Sequence, residues 1–194
     1  MKLFKNWSLF FAIPVLIATV IGLQRAALFT TPDPPKDQPI HLSANIGDFN
    51  TQDLWGKPYS RADLGEFKLT MVNVWATWCP PCVAEMPDLA VIAHERAGTG
   101  FQILGIVTDT ATLTQKDANA IYKAVQLCEQ LGIEYPCLVP DTVLQEGLIH
   151  QLVGVPTTWF VDANGNILGK EYIGSRSKAQ WDTIINTMLE QVEP

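Results

Sequence analysis

The sequence predicts an α/β fold in which helices flank a mixed central β-sheet. Apolar runs of strand length alternate along the chain with segments whose apolar residues recur at helical spacing. The turn sequence Asn164-Gly165-Asn166 joins the last two predicted strands and is typical of a β-hairpin. Two cysteines separated by two residues, Cys79 and Cys82, stand where a predicted buried strand gives way to a helix. Alternation followed by a hairpin favours a sheet with both parallel and antiparallel pairs.

The predicted elements follow one another within one globular domain, residues 41–194, and we find no internal repeat. A small N-terminal hairpin, 49–54 with 59–60, precedes a helical turn at 61–64. The β-rich apolar run within 68–75 predicts a central strand, and further strands are predicted at 101–107, 135–139, 157–162 and 167–172. Helices are predicted at 81–96, 116–131, 144–152 and 177–192, from apolar residues spaced by three and four.

The N-terminal region, residues 1–29, has the pattern of a membrane anchor. Lys2 and Lys5 precede residues 7–23, which carry no charge and would reach about 26 Å as a helix, marginally enough for a bilayer core. The charges predict a cytoplasmic N-terminus with the remainder outside. A cleaved secretion signal is the alternative, although no good small-x-small cleavage site is present. Either way we expect the domain to lie outside the cytoplasm, held off the membrane by a proline-rich linker, residues 30–40.

The charge balance restricts the partners. The net charge is −7, and the chain after residue 40 carries nine basic and 18 acidic side chains. Nucleic acid and anionic lipid surfaces require a basic patch. The composition therefore argues against nucleic acid as a partner.

The cysteine pair at the strand–helix junction predicts a redox-active dithiol. A helix N-terminus offers unpaired N–H groups and partial positive charge, which lower the pKa of a thiol placed there. Cys79 is therefore predicted to be the exposed nucleophile, and the more buried Cys82 the resolving thiol. The alternative, half of a zinc site, needs a second ligand pair with suitable spacing. Cys128 and Cys137 are separated by eight intervening residues and the three histidines are scattered, so we expect no metal and no cofactor.

Three sequence features resemble the TlpA/ResA/CcmG group of membrane-anchored, thioredoxin-like proteins. The first is Trp78-Cys79-Pro80-Pro81-Cys82 with Glu85 and Pro87 after it. The second is Gly154-Val155-Pro156-Thr157-Thr158, followed by Trp159-Phe160-Val161-Asp162. The third is a mid-chain insertion that ends in Tyr135-Pro136-Cys137-Leu138. The resemblance runs from about residue 46 to the C-terminus and implies a thioredoxin-like fold.

The resemblance also implies roles for individual residues. It implies a cis Val155–Pro156 bond that presents the Val155 backbone beside Cys79, where a substrate segment could pair as an added strand. Trp78, Pro80 and Thr157 are the other residues implied in substrate binding.

Glu85 is implied to shuttle a proton during thiol exchange. Thioredoxin itself has a buried aspartate at the position of Asn73. The asparagine side chain cannot ionise, so it cannot take over the proton transfer. A carboxyl group close to two thiols should be desolvated, and its pKa raised. The alternative is a solvated first-turn glutamate that is favoured by the helix dipole.

Cys128 and Cys137 are predicted to be structural. Cys128 falls on the apolar face of its helix and Cys137 in an apolar strand, so both suit small buried side chains. Outside the cytoplasm an even number of cysteines also permits a disulfide between them. The sequence leaves both states open.

The leading functional hypothesis is an extracytoplasmic thiol–disulfide oxidoreductase that reduces protein disulfides. In the family that it resembles, substrates include cysteines of apocytochrome c and of oxidase copper sites, and a membrane-bound thiol protein would supply the electrons. An oxidant is the alternative, but oxidants of the DsbA type usually carry a histidine between the cysteines. A peroxiredoxin would need a Thr-x-x-Cys site, which the sequence lacks. A haem or copper chaperone that uses the same cysteines remains a binding-protein alternative.

Overall fold

A computed structural model of the protein describes residues 45–192, which contain one seven-stranded sheet. The strands are β1 (Asn50–Asp53), β2 (Pro58–Ser60), β3 (Leu69–Trp75), β4 (Phe101–Val107), β5 (Cys137–Val139), β6 (Thr157–Asp162) and β7 (Ile167–Ile173). Their order across the sheet is β2-β1-β5-β4-β3-β6-β7. The predicted anchor (1–29) and linker (30–40) lie outside the described residues. No helix within 45–192 has the length and apolar character needed to cross a membrane.

Strand β3 lies inside the sheet and leads to the cysteines. It pairs in parallel with β4 along its whole length and antiparallel with β6. The β4–β5 pair is also parallel, whereas the β6–β7 and β1–β5 pairs are antiparallel, so the predicted mixed sheet is confirmed. All seven residues of β3 are buried, as expected for a strand covered on both faces.

Within the described part of the chain, four α-helices and three short 3₁₀ segments complete the fold. The α-helices are α1 (Pro80–Glu95), α2 (Ala118–Gln130), α3 (Thr142–Glu146) and α4 (Lys178–Val192), and the 3₁₀ segments are Arg61–Glu66, Thr108–Thr110 and Ile149–Gln151. Side chains of α1, α2 and α4 share a core with Met71 and Trp75 of β3. Residues of α3 and the N-terminal segments share a second core with Val72 and Val74. Because successive strand residues face opposite sides, both faces of the sheet are covered.

The structure differs from the sequence prediction mainly at element boundaries. The predicted helix at 144–152 is two pieces, α3 and a 3₁₀ turn. The Asp141 side chain accepts a hydrogen bond from the Leu144 N–H and starts the helix at Thr142. The predicted N-terminal hairpin is present, and it extends the main sheet by pairing with β5, which the sequence pattern did not indicate.

Candidate active site

The two cysteines of the motif form a disulfide at the junction of β3 and α1. Cys79 is the N-cap of α1, and its Sγ accepts a hydrogen bond of 3.2 Å from the Cys82 N–H. Pro80 and Pro81 occupy the first two helical positions, which suits a helix start and leaves Cys82 to supply the first N–H. Cys82 is fully buried, and Cys79 is only 3% exposed. The prediction of an exposed Cys79 is therefore wrong for the disulfide form.

The loop before β6 lies directly beside Cys79. The Val155–Pro156 bond is cis, as the resemblance implied. The carbonyl oxygen of Val155 lies 3.6 Å from Cys79 Sγ, so the peptide backbone approaches the sulfur that would meet a substrate. Thr157 is buried, and its hydroxyl donates a hydrogen bond of 2.7 Å to the Gly154 carbonyl, which fixes the loop from within.

Glu85 lies one turn beyond Cys82 on α1 and is 3% exposed. Its carboxylate accepts hydrogen bonds from Asn73 Nδ2 at 3.0 Å, the Arg176 N–H at 3.0 Å and Trp181 Nε1 at 3.3 Å. Burial raises the pKa of Glu85, and the three donors only partly oppose it. The solvated-glutamate alternative therefore does not apply, because the carboxyl group is buried and has a perturbed pKa.

Asn73 connects Glu85 to the strand beside the cis proline. Its side-chain amide donates to Glu85 and also to the Thr158 hydroxyl at 3.1 Å. Its own side-chain oxygen is buried without a hydrogen-bond partner. The buried amide therefore lacks a hydrogen-bond donor for its oxygen at the centre of the site.

The outer rim of the site is apolar. Trp78, directly before Cys79, is 68% exposed, and Pro80 is also exposed. Val153, two residues before Val155, is exposed as well. An exposed aromatic beside a reactive sulfur supplies contact area for a protein partner.

Asp109 holds the loop between β3 and Cys79, and the sequence analysis missed it. Its carboxylate accepts hydrogen bonds from the backbone N–H of Thr77 at 3.1 and 3.2 Å and from the Thr77 hydroxyl. Asp109 follows β4, the parallel neighbour of β3. An acidic residue just past the carboxyl end of the neighbouring parallel strand was a signal that could have identified it.

Comparison with known proteins identifies the family. The AhpC/TSA family matches residues 43–169, well over half of the chain. The chain belongs to this family. The thiol:disulfide interchange protein DsbE of Vibrio cholerae is 29% identical over 180 residues, which cover 92% of this chain and 90% of that protein. DsbE of Pasteurella multocida is 30% identical over 142 residues, which cover 73% and 71% of the two chains.

A solved structure that resembles this AhpC/TSA-family chain also belongs to a thiol:disulfide interchange protein. A thiol:disulfide interchange protein of the thioredoxin family from Chlorobium tepidum matches with a TM-score of 0.61 at 29% identity, over 78% of this chain and 97% of that one. The predicted thioredoxin-like fold is thus confirmed, as is the resemblance from which it came. The protein is a thioredoxin-like thiol:disulfide oxidoreductase with Cys79 and Cys82 as its Cys-x-x-Cys pair.

The second cysteine pair of this AhpC/TSA-family protein lies in the core, outside the site just described. Cys128 and Cys137 are both fully buried free thiols, with their Sγ atoms 4.0 Å apart. Their burial agrees with a structural role, and the permitted disulfide is not formed in this structure. Within residues 45–192, no three His, Cys, Asp or Glu side chains are grouped so as to hold a metal ion.

Proposed function

We propose that the protein reduces protein disulfides outside the cytoplasm, as a step in the maturation of cytochrome c or of an oxidase. The observation that carries the proposal is the helix start at Cys79. Stabilising the reduced thiolate makes such a pair more oxidising. Pro80 and Pro81 remove two N–H donors from the first turn, and the first that remains belongs to Cys82. The Cys79 thiolate is therefore less stabilised, which makes the pair more reducing.

The proposed reaction proceeds through a mixed disulfide. The Cys79 thiolate attacks one sulfur of the substrate disulfide, and the other substrate sulfur leaves as a thiolate that takes up a proton. Cys82 then loses its proton and attacks Cys79 Sγ, which forms the Cys79–Cys82 disulfide and releases the second substrate thiol. Trp78, Pro80 and Val155 form the proposed substrate-binding edge. Pro156 and Thr157 are buried behind it and hold its shape, so Thr157 does not contact substrate itself, contrary to the role implied by the resemblance.

Glu85 is the proposed acceptor of the Cys82 proton. It lies one turn further along the same buried helix face, and burial raises its pKa toward the range in which thiols exchange protons. The orienting contacts come from Asn73, Arg176 and Trp181. These hydrogen bonds hold the carboxylate in place while leaving it able to take up the proton.

Electrons must reach this site from elsewhere in each cycle. We propose that a membrane-bound thiol protein restores the Cys79–Cys82 dithiol, and that the N-terminal segment holds the domain near that donor. The charge pattern of residues 1–29 supports this placement. The names of the similar proteins, which describe thiol:disulfide interchange, support the exchange chemistry.

The reduction potential tests the direction of the reaction. The full chain, solubilised in detergent, is equilibrated in glutathione or dithiothreitol buffers, and the Cys79–Cys82 state is read by alkylation. A reductant should give a value nearer to thioredoxin, about −270 mV, than to DsbA, about −120 mV. A Pro80→Ala variant restores one N–H and should shift the potential upward. A wild-type potential above about −180 mV would instead support an oxidant. A separate titration of the reduced protein with copper tests the chaperone alternative, which tight stoichiometric binding would support.

A further inference from the structure

The two buried cysteines outside the active site lie close enough for their sulfurs to react with each other. Cys128 lies in the last turn of α2, and Cys137 is the first residue of β5. Their Sγ atoms are in contact at 4.0 Å, and neither side chain is exposed. A disulfide needs about 2.05 Å between the sulfurs. Each Sγ therefore has to move by about 1 Å to reach bonding distance.

The sheet beside the pair leaves room for the Cys137 sulfur. Gly105 of β4 is paired with Cys137 in register. A Cβ atom at Gly105 would lie 2.6 Å from Cys137 Sγ and 3.2 Å from Trp75 Nε1. A side chain at position 105 would therefore collide with the Cys137 sulfur, which also lies 4.0 Å from the Cys128 sulfur of α2.

The folded protein protects these thiols from exchange. The hydrogen bond with Cys128 and complete burial raise the pKa of the Cys137 thiol, so little thiolate is present. A dithiol or disulfide from solution also cannot reach fully buried sulfurs without local opening. An oxidant can therefore reach the pair only before α2 packs on the sheet or during local opening.

We propose that Cys128 and Cys137 form a second disulfide during folding, which ties α2 to β5 and takes no part in the turnover of Cys79 and Cys82. The oxidant is a low-molecular-weight disulfide such as oxidised glutathione. Cys128 attacks it and releases one thiol, and Cys137 then attacks the Cys128 sulfur of the mixed disulfide and releases the second. One S–S bond forms and one breaks, while the two cysteine protons leave with the released thiols.

The bond closes a short loop of the chain, from residue 128 to residue 137. Closing a loop of this length lowers the entropy of the unfolded chain, and the unfolding equilibrium constant should fall about 100-fold. The inference does not depend on the direction of the active-site reaction, because the two pairs are separate sulfurs with separate accessibility. A failed test here would leave the proposed reductase function unaffected.

The first test uses a Cys79→Ser/Cys82→Ser variant of the full chain, in which only the second pair remains. The variant is unfolded in denaturant with reductant, refolded in a buffer of reduced and oxidised glutathione, and alkylated in denaturant. We expect a Cys128–Cys137 cross-linked peptide and no alkylated cysteine in the mass spectrum. Two alkylated cysteines after oxidative refolding would overturn the proposal. Addition of Cys128→Ala gives the matched control. It leaves Cys137 alone, either alkylated or bound to glutathione, and must show no cross-linked peptide.

The second test measures whether the Cys128–Cys137 disulfide of the folded wild-type chain is protected from reduction. Oxidatively refolded protein is treated with dithiothreitol without denaturant and sampled by alkylation over time. We expect Cys79 and Cys82 to become alkylated while the Cys128–Cys137 peptide stays cross-linked until denaturant is added. Equal rates for the two pairs would contradict the separate, non-exchanging role. A Cys128→Ala single variant should react with dithiothreitol at Cys79 and Cys82 as fast as the wild type does. Its unfolding equilibrium constant should be about 100-fold larger than that of the oxidatively refolded wild type.

Discussion

The side-chain amide of Asn73 on β3 donates a hydrogen bond of 3.0 Å to the carboxylate of Glu85 on α1. The strand that leads to the cysteines and the helix that carries them are thus joined through a buried titratable group. Asn73 cannot ionise, so a proton taken up at this junction resides on Glu85. Burial raises the pKa of that carboxyl group, in spite of three N–H donors around it.

Replacing Glu85 by glutamine should slow thiol exchange and change its pH profile. The amide can neither accept the proton that Cys82 loses when it attacks nor return that proton when Cys82 leaves during reduction by dithiothreitol. A positioned acid–base group is worth on the order of 10²-fold or more in rate. The measurement is the rate of reaction with dithiothreitol from about pH 5 to 9, the range of thiol ionisation. Glu129→Gln, at an exposed position on α2, is the control. An unchanged rate and profile for Glu85→Gln would remove Glu85 from the proton path.

The same carboxyl group should make stability depend on pH in a defined direction. Its folded pKa is raised above the usual 4.5, so the native state holds the proton more tightly than the unfolded chain does. This contribution to stability is fully present below about pH 4.5 and is lost as the pH rises through the raised pKa. Urea unfolding from about pH 4 to 8 should therefore show the wild type losing stability relative to Glu85→Gln as the pH rises. A constant difference between the two proteins would contradict the raised pKa.

Asp109 should stabilise the active-site loop through Thr77. Asp109→Ala leaves the Thr77 N–H and hydroxyl without their acceptor, which should cost about 1–3 kcal/mol of the free energy of unfolding. Asp109→Asn keeps one acceptor oxygen, so its free energy of unfolding should lie between those of the wild type and Asp109→Ala. Urea unfolding measures the loss, and the dithiothreitol reaction reports whether the loop still presents Cys79 correctly. Wild-type stability for the alanine variant would show that the contact contributes nothing.

The order of attack can be read by trapping. Cys82→Ser should accumulate mixed disulfides through Cys79, because the resolving thiol is absent, and Cys79→Ser should accumulate none. Non-reducing electrophoresis followed by mass spectrometry of the linked peptides identifies the sulfur involved. If Cys79→Ser captures partners as efficiently, the roles of the two cysteines are exchanged.

Local patterns in the sequence were enough for the order of strands and helices. The helix after the cysteines was predicted from its apolar spacing, and the structure adds only that Cys79 itself caps it at Pro80. The Asp141 cap of α3 was also readable, since an aspartate before a helical pattern is a usual start. The single helix predicted at 144–152 ignored it, and the boundary was wrong for that reason.

Contacts between distant parts of the chain could not be predicted in this way. Arg176 and Trp181 reach Glu85 from 91 and 96 residues away. Periodicity placed Trp181 on an inward face but could not indicate which buried acceptor its N–H would meet. The cis bond before Pro156 came from the resemblance alone, because most X–Pro bonds in folded proteins are trans.

The two outer strands of the sheet bear on how long a partner stays bound. β2 has three residues and begins with Pro58, which has no N–H to donate. β7 is interrupted by Gly169 at φ +67° and carries the exposed charges of Lys170 and Glu171. Short, interrupted and charged margins disfavour annealing of another chain. A substrate joined to Cys79 by a mixed disulfide therefore gains few backbone hydrogen bonds from the edge strands, and the disulfide itself is the main link that has to be broken for release.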